Sequence, residues 1–303
     1  MSAEPSSAAL YDAVARASAS CVITRYSTSF ARACRLLDEP VRGHVRNVYG
    51  LVRLADEVVD AAALPLSHAD RAAILDDLQA ETARATARGF STNLVVHAFA
   101  LTARECGIGA ELVDPFFASM RTDLVRSTHD DGSFATYVHG SAEVVGLMCL
   151  RIFVACEPGT PAERDARYAA LADGASRLGA AFQKVNFLRD LAADRDQLGR
   201  GYFPGVGTGH LTDAARDALL DDIDADLAAA ARAIAALPPS SRRGVRAAHD
   251  LFAALSRRLR ATPASTIEQR RVRVPARVKA FVVARTLVGQ TAARFVPARA
   301  VRP

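Results

Sequence analysis

The sequence has few of the residues that interrupt helices and almost none of the patterns that form strands. Its 303 residues include only 13 prolines. Three proline-free stretches, each longer than forty residues and rich in Ala, Leu, Arg, Glu and Asp, are 66–114, 116–157 and 162–203. Apolar residues recur at helical spacing, as at Val45, Val48 and Val52, whereas alternating β-branched patterns are nearly absent. The sequence therefore predicts an all-α protein of nine or ten helices, with Asp131 and Gly132 in a helix–helix loop.

The cysteine pattern and the apolar runs exclude two further classes of protein. The five cysteines form no CxxC pair and no cluster with histidine, and no N-terminal signal pattern is present. We therefore expect a reduced, cytoplasmic protein. No apolar run reaches the ~20 residues that span a bilayer. The best run, 144–156, is interrupted by Arg151, which indicates a protein that is soluble or peripheral to the inner face of the membrane.

Acidic residues are nearly absent from the C-terminal part. Residues 257–303 carry twelve basic residues and one acid, a net charge of +11, whereas residues 1–256 carry −6. Nucleic acid is disfavoured as the partner, because the cations alternate with Val278, Phe281 and Val282 at helical spacing and no aromatic stacking platform accompanies them. The last arginines could instead rest on an anionic membrane surface.

The chain shows no sign of division into parts. Half of its residues are hydrophobic and 23% are charged, which excludes intrinsic disorder. No repeat or linker-like composition occurs, so we predict a single domain over 1–303, with about the first 20 and the last 8 residues peripheral. The glycine-rich segment 199–210 is interpreted as a loop, either a flexible connection or an active-site lid.

Two acidic residues lie one turn apart in the helix predicted to begin near Pro40. Asp56 and Asp60 are four residues apart, which puts both carboxylates on one helical face, about 6 Å apart along the axis. Like charges at this spacing repel, and a bound divalent cation would offset that cost. Arg53 lies one turn earlier, where its charge could meet a phosphate.

A second polar stripe follows later in the chain. Gln183, Asn186, Asp190 and Asp194 are separated by steps of three, four and four residues, so they share one helical face. Their neighbours along the helix are apolar: Val185, Phe187, Leu188 and Leu191. Such a row of oxygen-bearing side chains beside apolar residues is difficult to explain as a solvated surface.

The two stripes together favour a metal site over plain surface charge. A single pair would be typical of a solvated helix face, where ion pairs with nearby arginines contribute little. Two pairs, each interleaved with apolar residues, suit two facing helices that hold Mg²⁺ ions on a diphosphate. Mg²⁺ takes one or two carboxylates and completes its shell with water and phosphate oxygens.

Six segments carry a family resemblance: 26–30, 53–60, 137–146, 183–194, 199–204 and 271–275. In this order they resemble the phytoene/squalene synthase family of head-to-head isoprenoid synthases, over a span from Tyr26 to Arg285. Within the family the chain is most similar to actinobacterial phytoene synthases. Glu57 and Ala193 depart from the usual acidic motifs, but neither change removes a carboxylate from an i, i+4 pair.

The resemblance implies the all-α isoprenoid synthase fold, a single helical bundle around a central active-site cavity. It implies Mg²⁺, with Mn²⁺ as a substitute, bound by Asp56, Asp60, Asn186, Asp190 and Asp194. The four aspartates are also implied to be catalytic, together with Tyr137 and Gln183 at the reacting centre.

The resemblance further implies how the substrate is bound. The residues matched to diphosphate contacts are Arg53, Arg189, Arg200 and Arg271, with Ser27 and Ser29 near a phosphate. The carbocation formed must be shielded from water by an apolar wall. Candidates for that wall are Phe30, Cys34, Ala142, Val145, Gly146, Phe182 and Phe187.

The implied reaction is the Mg²⁺-dependent 1′-1 condensation of two geranylgeranyl diphosphates to phytoene, in carotenoid biosynthesis. It proceeds through a cyclopropyl (prephytoene) diphosphate and needs no NADPH. The small residues Cys34, Ala142 and Gly146 favour C20 tails. Two alternatives are a C30 dehydrosqualene or squalene synthase that uses farnesyl diphosphate, and a non-catalytic prenyl-binding assembly homologue. The latter would be expected to have lost acids that this chain retains.

Overall fold

The structure is a computed structural model, and it describes residues 6–27, 31, 33–60, 66–206 and 209–275. Within these ranges the chain consists of helices and the loops between them. The one β pairing found there is an isolated bridge between Thr128 and Gly201. The prediction of an all-α fold is confirmed.

The described residues form ten α-helices of eight residues or more. They are α1 (Ser7–Tyr26), α2 (Val41–Asp60), α3 (His68–Arg88), α4 (Leu94–Cys106), α5 (Ala110–Val125), α6 (Asp131–Val138), α7 (Val144–Ala155), α8 (Pro161–Leu198), α9 (Asp213–Ala236) and α10 (Pro239–Arg260). A π-helical turn (His139–Glu143) joins α6 to α7, and a short helix α11 (Ala264–Ile267) follows α10.

Local sequence explains where many of these helices begin and end. Before α3, the Ser67 hydroxyl accepts a hydrogen bond from the Asp70 N–H while the Asp70 carboxylate accepts one from the Ser67 N–H. Thr160 and Glu163 repeat this capping box before α8. Helices α3, α4 and α8 end at glycines in the left-handed conformation, namely Gly89, Gly107 and Gly199.

Two helices organise the bundle around the site. Helix α2 packs against α1, α3, α4, α5 and α7, whereas the 38-residue α8 packs against α6, α7, α9, α10 and α11. Glycines allow α7 and the π-helical turn to approach α8 closely. A Cβ at Gly146 would lie 2.5 Å from the Ala175 carbonyl oxygen, and one at Gly179 would lie 2.5 Å from that of Ala142. Residues 142–146 are thereby held against the helix that carries the second polar stripe.

The core consists of two adjoining clusters of apolar side chains. One lies among α2, α4, α5 and α7, and includes Phe99, Phe116 and Met148. The other is built mainly from α8, α9 and α10 and includes Leu220. Leu178 on α8 packs against both clusters, so α8 connects them.

Helix boundaries agree with the sequence in some places and differ in others. The helix predicted from Pro40 is α2, which begins at Val41. The prediction that Asp131 and Gly132 form a loop is wrong: they begin α6, because the Asp130 side chain accepts a hydrogen bond from the Ser133 N–H at 2.8 Å and caps that helix. The glycine-rich segment 199–210 is a loop between α8 and α9 in its described part.

Both ends of the chain are predicted from the sequence to be peripheral to the domain. We expected about the first twenty residues to be peripheral; residues 7–26 form α1, of which Ala15, Ala19 and Ile23 are buried. The last eight residues, the predicted helix around Phe281, and the tail arginines 294, 299 and 302 lie outside the described residues. Membrane contact by the tail stays a prediction.

One helical run in the described part is long and apolar enough to cross a membrane, judged by length and composition only. It is Asp131–Ala155, which comprises α6, the π-helical turn and α7, and 50% of its most apolar window is buried inside the fold. The apolar pattern of the sequence alone predicts no such run. The difference arises because the continuous helix adds residues 131–143 to the apolar stretch that Arg151 interrupts.

Candidate active site

A polar cavity of about 870 Å³ lies between α2 and α8. Most of the residues singled out in the sequence line it. They are Ser27, Arg53, Asp56, Asp60, Tyr137, Gln183, Asn186, Phe187, Arg189, Asp190, Asp194 and Arg271. The fold thus brings the two polar stripes, which are far apart in the sequence, to the walls of one cavity, so that Asp56 on α2 and Asp190 on α8 face the same space.

The α2 wall carries two carboxylates and an arginine. Burial, and then the neighbouring charge of Asp60, raise the pKa of Asp56 to about 7. Arg53 donates a hydrogen bond to Glu57 one turn later, and its guanidinium carbon lies 4.4 Å from the centre of the Tyr26 ring. The Asp56 carboxyl group is therefore only partly ionised at neutral pH, and a bound cation would favour its carboxylate form.

The α8 wall carries the second pair of carboxylates. Asp190 accepts hydrogen bonds from Nε of Arg189 at 2.9 Å, and Nε of Arg271 lies 2.7 Å from the same oxygen. Burial raises the pKa of Asp194 to about 7, and the charges of Asp190 and Asp60 act in the same direction. The Oδ1 atom of Asn186 is buried and has no hydrogen-bond partner among the described residues. The α8 wall therefore contains a carboxyl group with a raised pKa, that of Asp194, and an amide oxygen, that of Asn186, which accepts no hydrogen bond from the described residues.

Arg200 is placed differently from the other arginines matched to diphosphate. It does not line the cavity; it is buried behind the α2 wall, where Nη1 donates to Asp60 Oδ1 at 2.9 Å. Its Nη2 donates to the backbone oxygens of Val59 and Asp123. In this arrangement Arg200 binds protein groups and fixes a predicted metal ligand, so a direct diphosphate contact stays a prediction.

Asp123 on α5 also lines the cavity, although the sequence motifs do not include it. The Tyr137 hydroxyl donates to its Oδ2 at 2.7 Å, and the Tyr202 hydroxyl donates to Oδ1 at 3.3 Å. Burial raises the pKa of Asp123 to about 6, against the opposing effects of Arg200 and the two hydroxyls. One signal was available: Asp123 follows buried Met120 by three residues, so it lies on the apolar face of its helix.

A second, apolar cavity of about 260 Å³ adjoins the first. Cys34, Ala142, Val145, Gly146 and Phe182, all predicted as an apolar wall, line it. Phe187 lines the polar cavity instead. Ser29 and Phe30 lie outside the described residues. The cavities share four lining residues: Val52, Ser141, Phe182 and Gln183.

The carboxylates that line the polar cavity occur in pairs, and such pairs suit Mg²⁺. No group of three or more His, Cys, Asp or Glu side chains suited to a metal ion occurs in the part of the chain that the structure describes. Asp190 and Asp60 are each paired with an arginine instead. Oδ1 of Asn186 accepts no hydrogen bond from the described residues, and the pKa of Asp56 and of Asp194 is raised. A cation near these oxygens would bind the first and stabilise the charged form of the other two. Because Mg²⁺ needs only one or two carboxylates, these residues suit it.

Comparison with known proteins identifies relatives over most of the chain. Residues 23–278 match the family model described as squalene/phytoene synthase. A 15-cis-phytoene synthase from Paracoccus sp. (strain N81106 / MBIC 01143) is 28% identical over 258 residues, which are 78% of this chain and 80% of the relative. A bifunctional lycopene cyclase/phytoene synthase from Phycomyces blakesleeanus is 31% identical over 163 residues, which are 48% of this chain and 26% of that longer protein. The chain thus spans about a quarter of the Phycomyces protein.

Solved structures show the same fold. A dehydrosqualene synthase in complex with a ligand superposes with a TM-score of 0.74 at 18% identity, covering 93% of this chain and 98% of the other. A squalene synthase from Alicyclobacillus acidocaldarius superposes with a TM-score of 0.70 at 21% identity, covering 84% and 97%. At these identities the likeness establishes the architecture alone.

Proposed function

We propose that this chain, which belongs to the squalene/phytoene synthase family, joins two geranylgeranyl diphosphates head to head into phytoene. The observation that carries this proposal is the pair of adjoining cavities. The polar one is lined by Asp56, Asp190 and Arg271, and the apolar one continues from it. A prenyl diphosphate has the same division, with a charged head joined to a hydrocarbon tail.

The arginines of the polar cavity suit the diphosphate head. Arg53, Arg189 and Arg271 line it, and guanidinium groups bind phosphate oxygens through paired N–H donors. Arg271 pairs with Asp190, so binding of the diphosphate would transfer that guanidinium from a carboxylate to a phosphate. The same change would free Asp190 to act as a ligand.

We propose that Mg²⁺ is bound by Asp56 and Asp60 on α2 and by Asn186, Asp190 and Asp194 on α8. When bound, Mg²⁺ supplies positive charge that stabilises the departing diphosphate. The carboxylates bind the cation best when deprotonated, and the raised pKa of Asp56 and Asp194 therefore makes binding favour pH above about 7. We propose no role for NADPH in this reaction.

The apolar cavity would receive the hydrocarbon tails and exclude water from the carbocation. Its lining includes Leu150, Phe153 and Phe182, which offer no nucleophile to a cation. Tyr137 and Gln183 line the polar side, next to the proposed reacting centre. Tyr137 is held in place by its hydrogen bond to Asp123. The side chains thus position the two substrates and keep water away.

The choice of C20 over C15 substrate rests on small residues in the apolar wall. Cys34, Ala142 and Gly146 line this cavity, and each leaves more space than a large side chain would. The Paracoccus relative is named as a phytoene synthase, which supports the same choice. A non-catalytic role is less favoured, because both carboxylate pairs face the polar cavity.

Product analysis tests the proposal. Purified protein is incubated with Mg²⁺ and either geranylgeranyl or farnesyl diphosphate, with and without NADPH, and the hydrocarbon is identified by mass spectrometry. We expect phytoene from the C20 substrate, independent of NADPH. Exclusive use of the C15 substrate would show a C30 synthase, and no product from either substrate would show a non-catalytic homologue.

A further inference from the structure

Ser141 carries a hydroxyl that the fold leaves without a partner. It lies in the π-helical turn and is 9% exposed, and its Oγ makes no hydrogen bond to any described residue. A helical serine usually donates to the carbonyl four residues earlier, which here is that of Tyr137. That carbonyl already accepts a hydrogen bond from the Ser119 hydroxyl at 3.2 Å. The Ser141 hydroxyl makes no hydrogen bond to this carbonyl or to any other described group.

The position of Ser141 indicates which group would satisfy it. Ser141 is one of the four residues that line both cavities, together with Val52, Phe182 and Gln183. On one side of this junction lie the carboxylates and arginines, and on the other the wall is almost entirely apolar. A prenyl diphosphate bound across both cavities would place its own polar–apolar boundary, the C1–O bond, at the junction.

We propose that the Ser141 hydroxyl donates a hydrogen bond to the oxygen that joins C1 of the allylic chain to the diphosphate. This inference rests on the proposed function, since it requires a prenyl diphosphate in the two cavities. A hydroxyl facing hydrocarbon alone would carry the full cost of lost hydration, whereas the ester oxygen at the boundary is an acceptor. The contact also sets how far the tail enters the apolar cavity.

The same hydrogen bond would assist ionisation. When the C1–O bond breaks, both bonding electrons stay on the oxygen, and the diphosphate leaves with one additional negative charge. A hydrogen bond to an oxygen that gains charge becomes stronger, so the Ser141 hydroxyl stabilises the transition state more than the bound substrate. No proton is transferred in this step; the hydroxyl remains a donor throughout.

The test compares two ligands that differ at one atom. The substrate is geranylgeranyl diphosphate, and the probe is its S-thiolo analogue, in which sulfur replaces the bridging oxygen. Sulfur is a weak acceptor. For Ser141→Ala we expect kcat/KM for the oxygen substrate to fall about tenfold or more, the loss of one hydrogen bond to a charged group. The inhibition constant of the thiolo analogue should stay within about twofold of the wild-type value.

Ser119→Ala is the matched control, since it removes a buried hydroxyl that is bonded to the Tyr137 carbonyl and lines neither cavity. We expect Ser119→Ala to lower the melting temperature, and Ser141→Ala to leave it unchanged or higher, because Oγ of Ser141 loses no bond. Any effect of Ser119→Ala on the two ligands should be equal.

Two results would overturn the proposal. Wild-type kcat/KM in Ser141→Ala, or equal losses for the oxygen and sulfur ligands, would show that the hydroxyl does not contact the bridging oxygen. If the wild-type protein neither turns over the substrate nor binds the thiolo analogue, the proposed function itself fails, and the inference fails with it.

Discussion

The Nη1 atom of Arg200 lies 2.9 Å from Oδ1 of Asp60, which is 140 residues earlier in the chain. Nη2 of the same guanidinium donates to the carbonyl oxygens of Val59 and Asp123. One buried side chain thus ties the loop after α8 to the end of α2 and to α5. This contact fixes the position of Asp60, one of the carboxylates proposed to bind Mg²⁺.

Replacement of Arg200 should destabilise the fold as well as the site. Arg200→Met leaves Asp60 and two carbonyl oxygens without their donor. Loss of one partner of a fully buried ion pair costs about 3–5 kcal/mol. We expect roughly 2 kcal/mol here, because Asp60 is partly exposed and water screens its charge. Urea denaturation measures the change, with Arg232→Met, at an exposed position on α9, as the control. Equal stabilities for the two variants would contradict the assigned role.

Stability of the metal-free protein should depend on pH in a defined direction. Asp194 has a folded-state pKa of about 7, raised first by burial. A carboxyl group whose pKa is higher in the folded state binds its proton more tightly there, so lowering the pH stabilises the fold. We expect the melting temperature to rise as the pH falls from 8 to 6.

The variant Asp194→Asn removes one titrating group, so its melting temperature should rise less over the same range. Asp196→Asn is the matched control, because Asp196 is exposed on the same helix. The measurement is differential scanning fluorimetry in a chelating buffer. A wild-type melting temperature that falls steadily from pH 8 to 6 would contradict the prediction.

The hydrogen bond between Tyr137 and Asp123 should matter for turnover more than for stability. Tyr137→Phe removes the donor 2.7 Å from Asp123 Oδ2. Tyr11→Phe removes a similar phenol hydrogen bond, 2.9 Å from the Ser91 carbonyl oxygen and outside the cavities. Each should cost about 1 kcal/mol of stability. Steady-state kinetics should show about a tenfold or larger loss of kcat only for Tyr137→Phe; equal kinetics in both variants would refute the positioning role.

A larger side chain at Cys34 should shorten the chain that the apolar cavity accepts. Cys34 is 3% exposed and lines that cavity, so Cys34→Leu adds volume inside it. We expect the ratio of kcat/KM for geranylgeranyl over farnesyl diphosphate to fall by about tenfold, because the loss of space for one or two methylene groups changes kcat/KM by about that factor. Cys21→Leu, at an exposed position on α1, should leave the ratio unchanged. An unchanged ratio in Cys34→Leu would place the tail elsewhere.

The helical pattern made the two stripes predictable, whereas their partners depend on tertiary packing. Asp56 and Asp60, or Asp190 and Asp194, share a face because four residues make about one helical turn, and the structure puts both pairs in one cavity. Arg200 was matched to the diphosphate because the sequence shows its motif but not its burial against Asp60.

Asp123 and the π-helical turn show a second limit of prediction. Asp123 is a single acid on α5, and its role arises only where Tyr137 and Tyr202 meet it. The π-helical turn depends on packing of residues 139–143 against α5 and α8. No local spacing in the sequence reveals the π-helical turn, and the signal for Asp123 is only its place three residues after Met120, which does not indicate its partners.

The proposal that the carboxylate stripes bind Mg²⁺ and promote condensation is tested most directly at Asp190. The measurement is the rate of phytoene formation from geranylgeranyl diphosphate with Mg²⁺, for Asp190→Asn and for the exposed control Asp196→Asn, alongside Mg²⁺ binding by calorimetry. We expect Asp190→Asn to lower turnover by about a hundredfold or more and to weaken Mg²⁺ binding, since a metal ligand contributes several kcal/mol to the barrier; Asp196→Asn should behave as wild type. Turnover near the wild-type rate in a folded Asp190→Asn protein would contradict the metal assignment.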